Sequence, residues 1–227
     1  MTAVLGILGG AFDPIHYGHL ELARETMEGL DLAAVRLIPT GDPPHRAPPV
    51  ATAGERLAMV KLAIADYRGL EVDSREVERP GRSFTVLTLE ELRAEDPSRS
   101  LALILGADAF LQLPSWHRWL EIMDLAHIVI VARPGTAFNG KLPLHLLREW
   151  EHRYTSDPHA LSATPAGAFI RQPITPQAIS ASTIRAALAR GELTAVRSLL
   201  PAAVLAYIER NRLYGFNRLY GSRQDAT

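Results

Sequence analysis

The sequence predicts an α/β protein: a doubly wound parallel sheet with helices on both faces and a small C-terminal helical part. Three observations predict it. Short apolar runs alternate with segments of helical periodicity along most of the chain. Several of these runs stop at glycine or proline, as strands that feed tight loops do. The chain has 227 residues, 47% apolar and 22% charged, enough to bury a core on both sides of a sheet.

Taken in order, residues 4–8 are a short apolar run stopped by Gly9-Gly10, which predicts a buried strand. Residues 18–28 put Leu20, Ala23 and Met27 on one helix face. Residues 35–38 are a second strand, ended by Pro39. Residues 39–50, PTGDPPHRAPPV, hold five prolines and one glycine and predict a loop. Residues 55–67 place Leu57, Val60, Ile64 and Tyr67 at helical spacing. A helix is expected over 84–94, a strand over 101–105 ended by Gly106, and a short helix over 119–125. Then come a strand over 128–132 ended by Arg133-Pro134-Gly135, a helix over 142–154 and a last strand over 168–171. Helices over 182–190 and 201–212 follow, the first stopped by Gly191. Right-handed crossovers between parallel strands turn this order into a Rossmann-like sheet. Ligands of such sheets bind where strands end, which directs attention to residues 9–19, 39–46, 106–117 and 133–135. One domain is expected over 1–214, with 215–227 a flexible tail. A short repeat straddles that boundary: NRLYG at 211–215 recurs at 217–221, too short for a solenoid unit.

Composition excludes several classes. Formal charge is −1, with 24 Lys and Arg against 25 Asp and Glu, which argues against a nucleic-acid partner. There is no cysteine, so no disulfide, thiolate metal site or cysteine nucleophile. The apolar run over 3–12 is too short to span a bilayer and lacks the flanks of a signal peptide. A cytoplasmic protein with no membrane partner is expected; an oligomer is compatible with the sequence.

The chemistry concentrates in GGAFDPIHYGHL, residues 9–20. Strand, Gly9-Gly10, then helix is a layout in which backbone N–H groups cradle phosphate at a helix N-terminus. His16 and His19, three apart, share one face of the first turn. With Asp13 they could instead begin a metal site. That reading is the weaker one, since no HExxH and no second tight His/Asp cluster follows. A competing phosphate loop, GTAFNGKL at 135–142, matches GxxxxGK but carries Leu142 where a magnesium-binding Ser or Thr belongs. His45 and Arg46 form a basic pair on the loop after the second strand. Gly106 ends the third strand with Asp108 just beyond, where a carboxylate can bond a ribose hydroxyl. Trp116 reads as core or as a stacking platform, and a tryptophan by itself is more often core. Ser180 or Ser182 can cap the helix they open, with Arg185 near a bound anion.

Together these pieces resemble a known family. GGAFDPIHYGHL is similar to the GGxFDPxHxGH signature of the T/HxGH nucleotidyltransferases. PPHR at 43–46, SFTVLTL at 83–89, GADAFLQLPSWHRW at 106–119, VARPG at 131–135 and ISASTIR at 179–185 resemble bacterial nicotinate-nucleotide adenylyltransferases, in that family's order. The resemblance implies transfer of AMP from ATP to nicotinate mononucleotide, giving deamido-NAD and pyrophosphate, with Mg²⁺ accompanying ATP. It implies that His16, His19 and Arg46 act on phosphates. Gly9, Gly10, Phe12, Asp13, Gly106, Asp108, Arg133, Ser180, Ser182 and Arg185 would hold ATP. Thr85, Trp116 and His117 would meet the nicotinate ring and its carboxylate. The substrate phosphate is itself the nucleophile, so the histidines are expected to act as imidazolium cations and donors. Two departures stand out: Ser182 replaces the usual Thr, and Phe84 stands where Tyr is common. Rival readings are a relative acting on phosphopantetheine or nicotinamide mononucleotide, a nucleotide-binding regulator without turnover, and a metal hydrolase.

Overall fold

The computed structural model describes residues 3–43, 48–132 and 142–216. In chain order it begins with β1 (Val4–Gly10), α1 (Tyr17–Gly29), β2 (Ala34–Pro39), α2 (Ala53–Ile64), β3 (Leu70–Val72) and α3 (Arg75–Glu78). Next come α4 (Thr85–Glu95), β4 (Ser100–Gly106), α5 (Ala107–Gln112), α6 (Trp119–Leu125), β5 (His127–Ala132) and α7 (Leu144–Arg153). It closes with α8 (Ala160–Ala163), β6 (Phe169–Pro173), α9 (Ala181–Ala189), α10 (Leu193–Arg197) and α11 (Ala202–Asn211). Single 3₁₀ turns occupy Leu113–Ser115 and Leu213–Gly215.

The sheet is parallel throughout, in the order β3-β2-β1-β4-β5-β6. That order winds outward in both directions from the β1–β4 pair, so a crevice opens at the carboxyl ends of these two strands. Side-chain alternation builds a core on each face. Val4, Leu8, Val35, Leu37, Ile104 and Val129 join one apolar cluster with α1, α2, α9 and α11. Leu5, Ile7, Ile38, Leu103, Ile128 and Ile130 join the other with α4 and α6. Both faces are covered, which is why the strands read as nearly continuous apolar runs. The start of α2 is set by a capping box: Glu55 N donates to Thr52 Oγ1 at 3.3 Å, and Thr52 N donates to Glu55 Oε2 at 2.7 Å.

The structure adds to the sequence reading in three places. β3 is a three-residue edge strand beside β2, too short for a periodicity signal. Residues 107–112, expected as a loop, wind directly into α5, so Asp108 sits in a first helical turn. The third is a correction to the expected boundary at 214: Phe216 is buried within the core beside Tyr214. The first NRLYG copy is a built turn, with Arg212, Tyr214 and Gly215 all at positive φ. The second copy lies outside the described residues. Among the described residues no helix is long and apolar enough to cross a membrane.

Candidate active site

The carboxyl end of β1 builds the first half of the site. A Cβ placed on Gly9 would meet nothing of the protein within 4 Å, so the backbone there lies open to a ligand. Phe12 turns the chain with φ 50° and sets its ring edge-on to His19, centroids 5.1 Å apart. His16 is the N-cap of α1 and His19 lies one turn in; their rings stack at 3.8 Å. Gly18 keeps this arrangement, because a Cβ there would come within 3.1 Å of the His16 ring.

The electrostatics differ from the imidazolium expectation. Burial holds His16 at a pKa of about 4. Burial, and then the neighbouring His16, hold His19 at about 3. Both rings are therefore neutral at pH 7 in the protein alone. The His16 backbone N–H donates to His19 Nδ1 at 3.3 Å. A neutral ring that accepts at Nδ1 carries its proton on Nε2, so His19 offers an N–H to a ligand. In the protein alone the pair carries no fixed charge at pH 7.

Asp13 takes a different place from the one the resemblance implies. Its buried carboxylate accepts from Val50 N at 2.7 Å, from Ala51 N at 3.1 Å and from the Tyr214 hydroxyl at 2.8 Å. Arg185 lies 3.8 Å from the same carboxylate and donates to the Asp13 carbonyl at 2.6 Å. These contacts tie the loop after β1 to the start of α2, to α9 and to the 3₁₀ turn Leu213–Gly215. Burial and the Asp13 bond push the Tyr214 hydroxyl's pKa up.

Arg56 is a second knot, one the sequence reading did not single out. Its buried guanidinium donates to the carbonyls of Ala51 (3.2 Å), Ala11 (2.7 Å), Thr40 (2.6 Å) and Gly41 (3.1 Å). It fastens the loops after β1 and β2 to one another. The signal for it is a cation inside the apolar spacing Arg56, Met59, Val60, Ala63 of α2.

The second half of the site is a cavity of about 230 Å³ beside Gly9 and Gly10. Its walls include Thr40, Glu76, Phe84, Thr85, Trp116 and His117. Trp116 is half-buried; its N–H is spent on Leu113 O at 2.9 Å, so of that backbone pair the His117 N–H is the one a ligand can take. The Phe84 and His117 rings lie 4.5 Å apart. Three buried side-chain polar atoms among the described residues have no hydrogen-bond partner: His16 Nδ1, Thr40 Oγ1 and Glu76 Oε2. Thr40 and Glu76 line the cavity, and His16 lies on the turn that follows Gly9, Gly10 and Ala11, which also line it. Buried polar atoms are almost always satisfied, so two orphans in one cavity wall mark it as built for a polar ligand.

Gly106 and Asp108 stand exposed at the end of β4, the strand next to β1. Ser180 is the N-cap of α9 and accepts from Thr183 N at 3.2 Å; Ser182 is exposed beside it, with the two hydroxyls 3.0 Å apart. Arg46, Arg133 and the GTAFNGK stretch at 135–141 lie outside the described residues. No group of three or more His, Asp or Glu among the described residues is arranged to hold a metal ion. With both Asp13 oxygens engaged, these residues do not fit a protein-held metal, and a Mg²⁺ would be carried by the phosphates of a nucleotide.

A phosphate corner on a helix N-terminus, set beside an aromatic-walled cavity at the switch point of a 3-2-1-4-5-6 sheet, defines a nucleotide-binding α/β protein. Residues 7–187 match the cytidylyltransferase-like family model. A protein of Dechloromonas aromatica is 48% identical over 216 residues, covering 94% of this chain and 99% of its own. One of Halorhodospira halophila is 46% identical, covering 95% and 97%. Each is named a probable nicotinate-nucleotide adenylyltransferase. The fold is shared with the nicotinic acid mononucleotide adenylyltransferase of Plasmodium falciparum, solved in complex with NaAD. That match has a TM-score of 0.70 at 16% identity, over 95% of this chain and 99% of that one. The chain belongs to the cytidylyltransferase-like family and, within it, to the nicotinate-nucleotide adenylyltransferases.

Proposed function

We infer that this protein transfers the AMP part of ATP to the phosphate of nicotinate mononucleotide, releasing pyrophosphate and forming deamido-NAD. The observation that carries the reading is the junction itself. Two stacked histidines at a helix N-terminus, one with an unpaired buried nitrogen, follow directly on Gly9 and Gly10, which line a cavity with its own unpaired polar atoms. The names of the 46–48% identical relatives support the same substrate pair.

In this reading the triphosphate lies on Gly9, Gly10 and the start of α1, with His19 Nε2–H and His16 as donors. Gly106 and Asp108 hold the adenosine ribose. Ser180, Ser182 and Arg185 close the nucleotide side. The nicotinate ring enters the cavity against Trp116, and its carboxylate takes the Thr85 hydroxyl and the His117 N–H. Arg46 and Arg133 are proposed as further phosphate cations on the strength of the family motif. Asp13 acts by positioning, through Val50, Ala51 and Tyr214. A phosphate oxygen of the acceptor attacks the α-phosphorus in line, and the bond to pyrophosphate breaks. No side-chain nucleophile or strong base is needed, so the protein's task is alignment and donation to the oxygens where charge builds. Mg²⁺ on the phosphates would offset their charge. Such a reaction on soluble nucleotides accords with a cytoplasmic enzyme.

The test is product analysis with ATP, Mg²⁺ and nicotinate or nicotinamide mononucleotide. Deamido-NAD and stoichiometric pyrophosphate are expected. Absence of any dinucleotide product from either acceptor would overturn the assignment.

A further inference from the structure

Glu76 is the feature of the cavity that the reaction, as described so far, does not use. It is only 6% exposed, yet it is a carboxyl group in the wall of a pocket for an acidic substrate. Its surroundings give it a fixed polarity. The Arg79 guanidinium donates to Thr88 Oγ1 at 3.0 Å, and that hydroxyl passes its own proton toward Glu76 Oε1 at 2.6 Å. Oε1 is therefore an acceptor in this chain of bonds, and Oε2 has no hydrogen-bond partner, while the Ser83 hydroxyl lies close enough to the carboxyl to favour its charged form. Arg79 does not pair with Glu76 itself; its charge goes to Glu91, at 2.7 Å. Thr40 Oγ1, also buried and unpartnered, lines the same cavity.

We propose that Glu76 is a specificity-determining residue for the acceptor's ring substituent, acting as a neutral acid whose Oε2–H donates to the substrate carboxylate. The proposal rests on the reading given under Proposed function and deepens it. With Oε1 committed to accepting from Thr88, the proton of a neutral acid belongs on Oε2, the unpaired oxygen. A carboxylate ligand only accepts, so Glu76, Thr85 and the His117 N–H would together offer it donors alone. An ionised Glu76 would instead repel that carboxylate and welcome an amide N–H₂. Burial raises the Glu76 pKa, against the lowering effects of Thr88, Ser83 and Arg79; Glu91 adds to the rise. The other charged group packed nearby is Arg56 on α2, held by four carbonyls of the adjoining loops. Across the cavity the titratable neighbour is His117.

The readout is the ratio of kcat/KM for nicotinate mononucleotide to that for nicotinamide mononucleotide, followed over the whole pH range in which the enzyme stays folded. Titration of the phosphates and of His16 and His19 affects both acceptors alike and cancels in the ratio; the His117 ring faces the ring substituent and does not cancel, so the whole series is repeated in a His117→Gln background, which keeps the backbone N–H. In the wild type the ratio is expected to fall as pH rises through the Glu76 pKa. Glu76→Gln keeps an acceptor toward Thr88 and a donor at the other atom, so its ratio is expected to stay high and flat with pH. Glu76→Met keeps the bulk without the donor, and its ratio is expected to drop about tenfold, as loss of one net hydrogen bond implies. An unchanged ratio in Glu76→Met, with both acceptors slowed equally, would overturn the proposal and place Glu76 against the ribose or in a purely structural role. A ratio in Glu76→Gln that still falls with pH as the wild type's does would also overturn it. A wild type that adenylylates neither acceptor would refute the parent reading instead, so the two failures are distinguishable.

Discussion

Acidification from pH 7 to pH 5 is expected to destabilise the empty protein through its two site histidines. In the unfolded chain each titrates near 6.5 and is mostly protonated at pH 5. In the fold they stay neutral until about pH 4 for His16 and about pH 3 for His19. Both folded values are depressed, so the unfolded state binds more protons across this window. The stabilisation is complete above the unfolded value and is lost as pH falls toward the folded ones. Integrated to pH 5, each histidine costs about 2 kcal/mol. His19 is only partly buried by its surface, and solvent screening trims the pair's total to about 2–4 kcal/mol. For a chain of this size that is a fall in Tm of roughly 5–15 °C. The assay is urea denaturation at both pH values for the wild type and for a His16→Asn/His19→Gln double variant, which cannot take up these protons. Buried His127, whose pKa burial also lowers, is present in both proteins and cancels. The double variant should lose most of the difference between the two pH values. NMR titration of both rings with midpoints near 6.5, or a double variant as acid-sensitive as the wild type, would refute the neutral-pair argument and restore the imidazolium picture.

His16→Ala and His19→Ala are each expected to lower kcat by about 10²–10³ with the fold retained, as loss of a donor aimed at developing charge does; steady-state kinetics with circular dichroism checks both halves. Truncation after Gly215, which removes buried Phe216, should cost about 2–4 kcal/mol, whereas truncation after Phe216 should leave the melting temperature within a degree or two. Trp116→Ala should weaken binding of both acceptors alike, since stacking does not distinguish an acid from an amide; a change in the nicotinate-to-nicotinamide preference larger than the change in affinity would show that Trp116 does more than stack.

The central architecture was legible because both faces of the sheet are covered. Runs such as residues 101–105 and 128–132 carry a strong apolar signal, and Gly9-Gly10 and Gly106 mark where β1 and β4 stop. The phosphate corner was legible for a related reason: glycines, a helix start and paired histidines lie within a dozen residues, so local spacing nearly equals spatial proximity. What stayed hidden depends on distant segments meeting. Asp13 reads as one more polar residue of a ligand loop, and only the fold brings Val50, Ala51 and Tyr214 to its oxygens. Glu76 sits in SREVER, a stretch the sequence reading did not single out; its burial comes from α4 and the loop after β2 packing against α3. The depressed pKa of the histidines in the protein alone was not legible either, because residue type gives an ordinary pKa, whereas desolvation is a property of the finished cavity.

The Asp13 knot also bears on the order in which the molecule can be completed. The carboxylate belongs to residue 13, and the Tyr214 hydroxyl that closes one of its bonds comes 201 positions later. A growing chain emerges N-terminus first, so β1 and the phosphate turn exist long before the groups that lock them. Contacts of such long span form late, after the chain entropy between them has been given up. A chain arrested short of that tyrosine would hold its signature motif and all six strands, yet leave a buried carboxylate short of one donor at the corner where phosphate is to bind. Ligand competence in this protein is thus expected to come only once the Leu213–Gly215 turn is in place, and loosening of that turn should be felt 201 positions earlier, at Asp13.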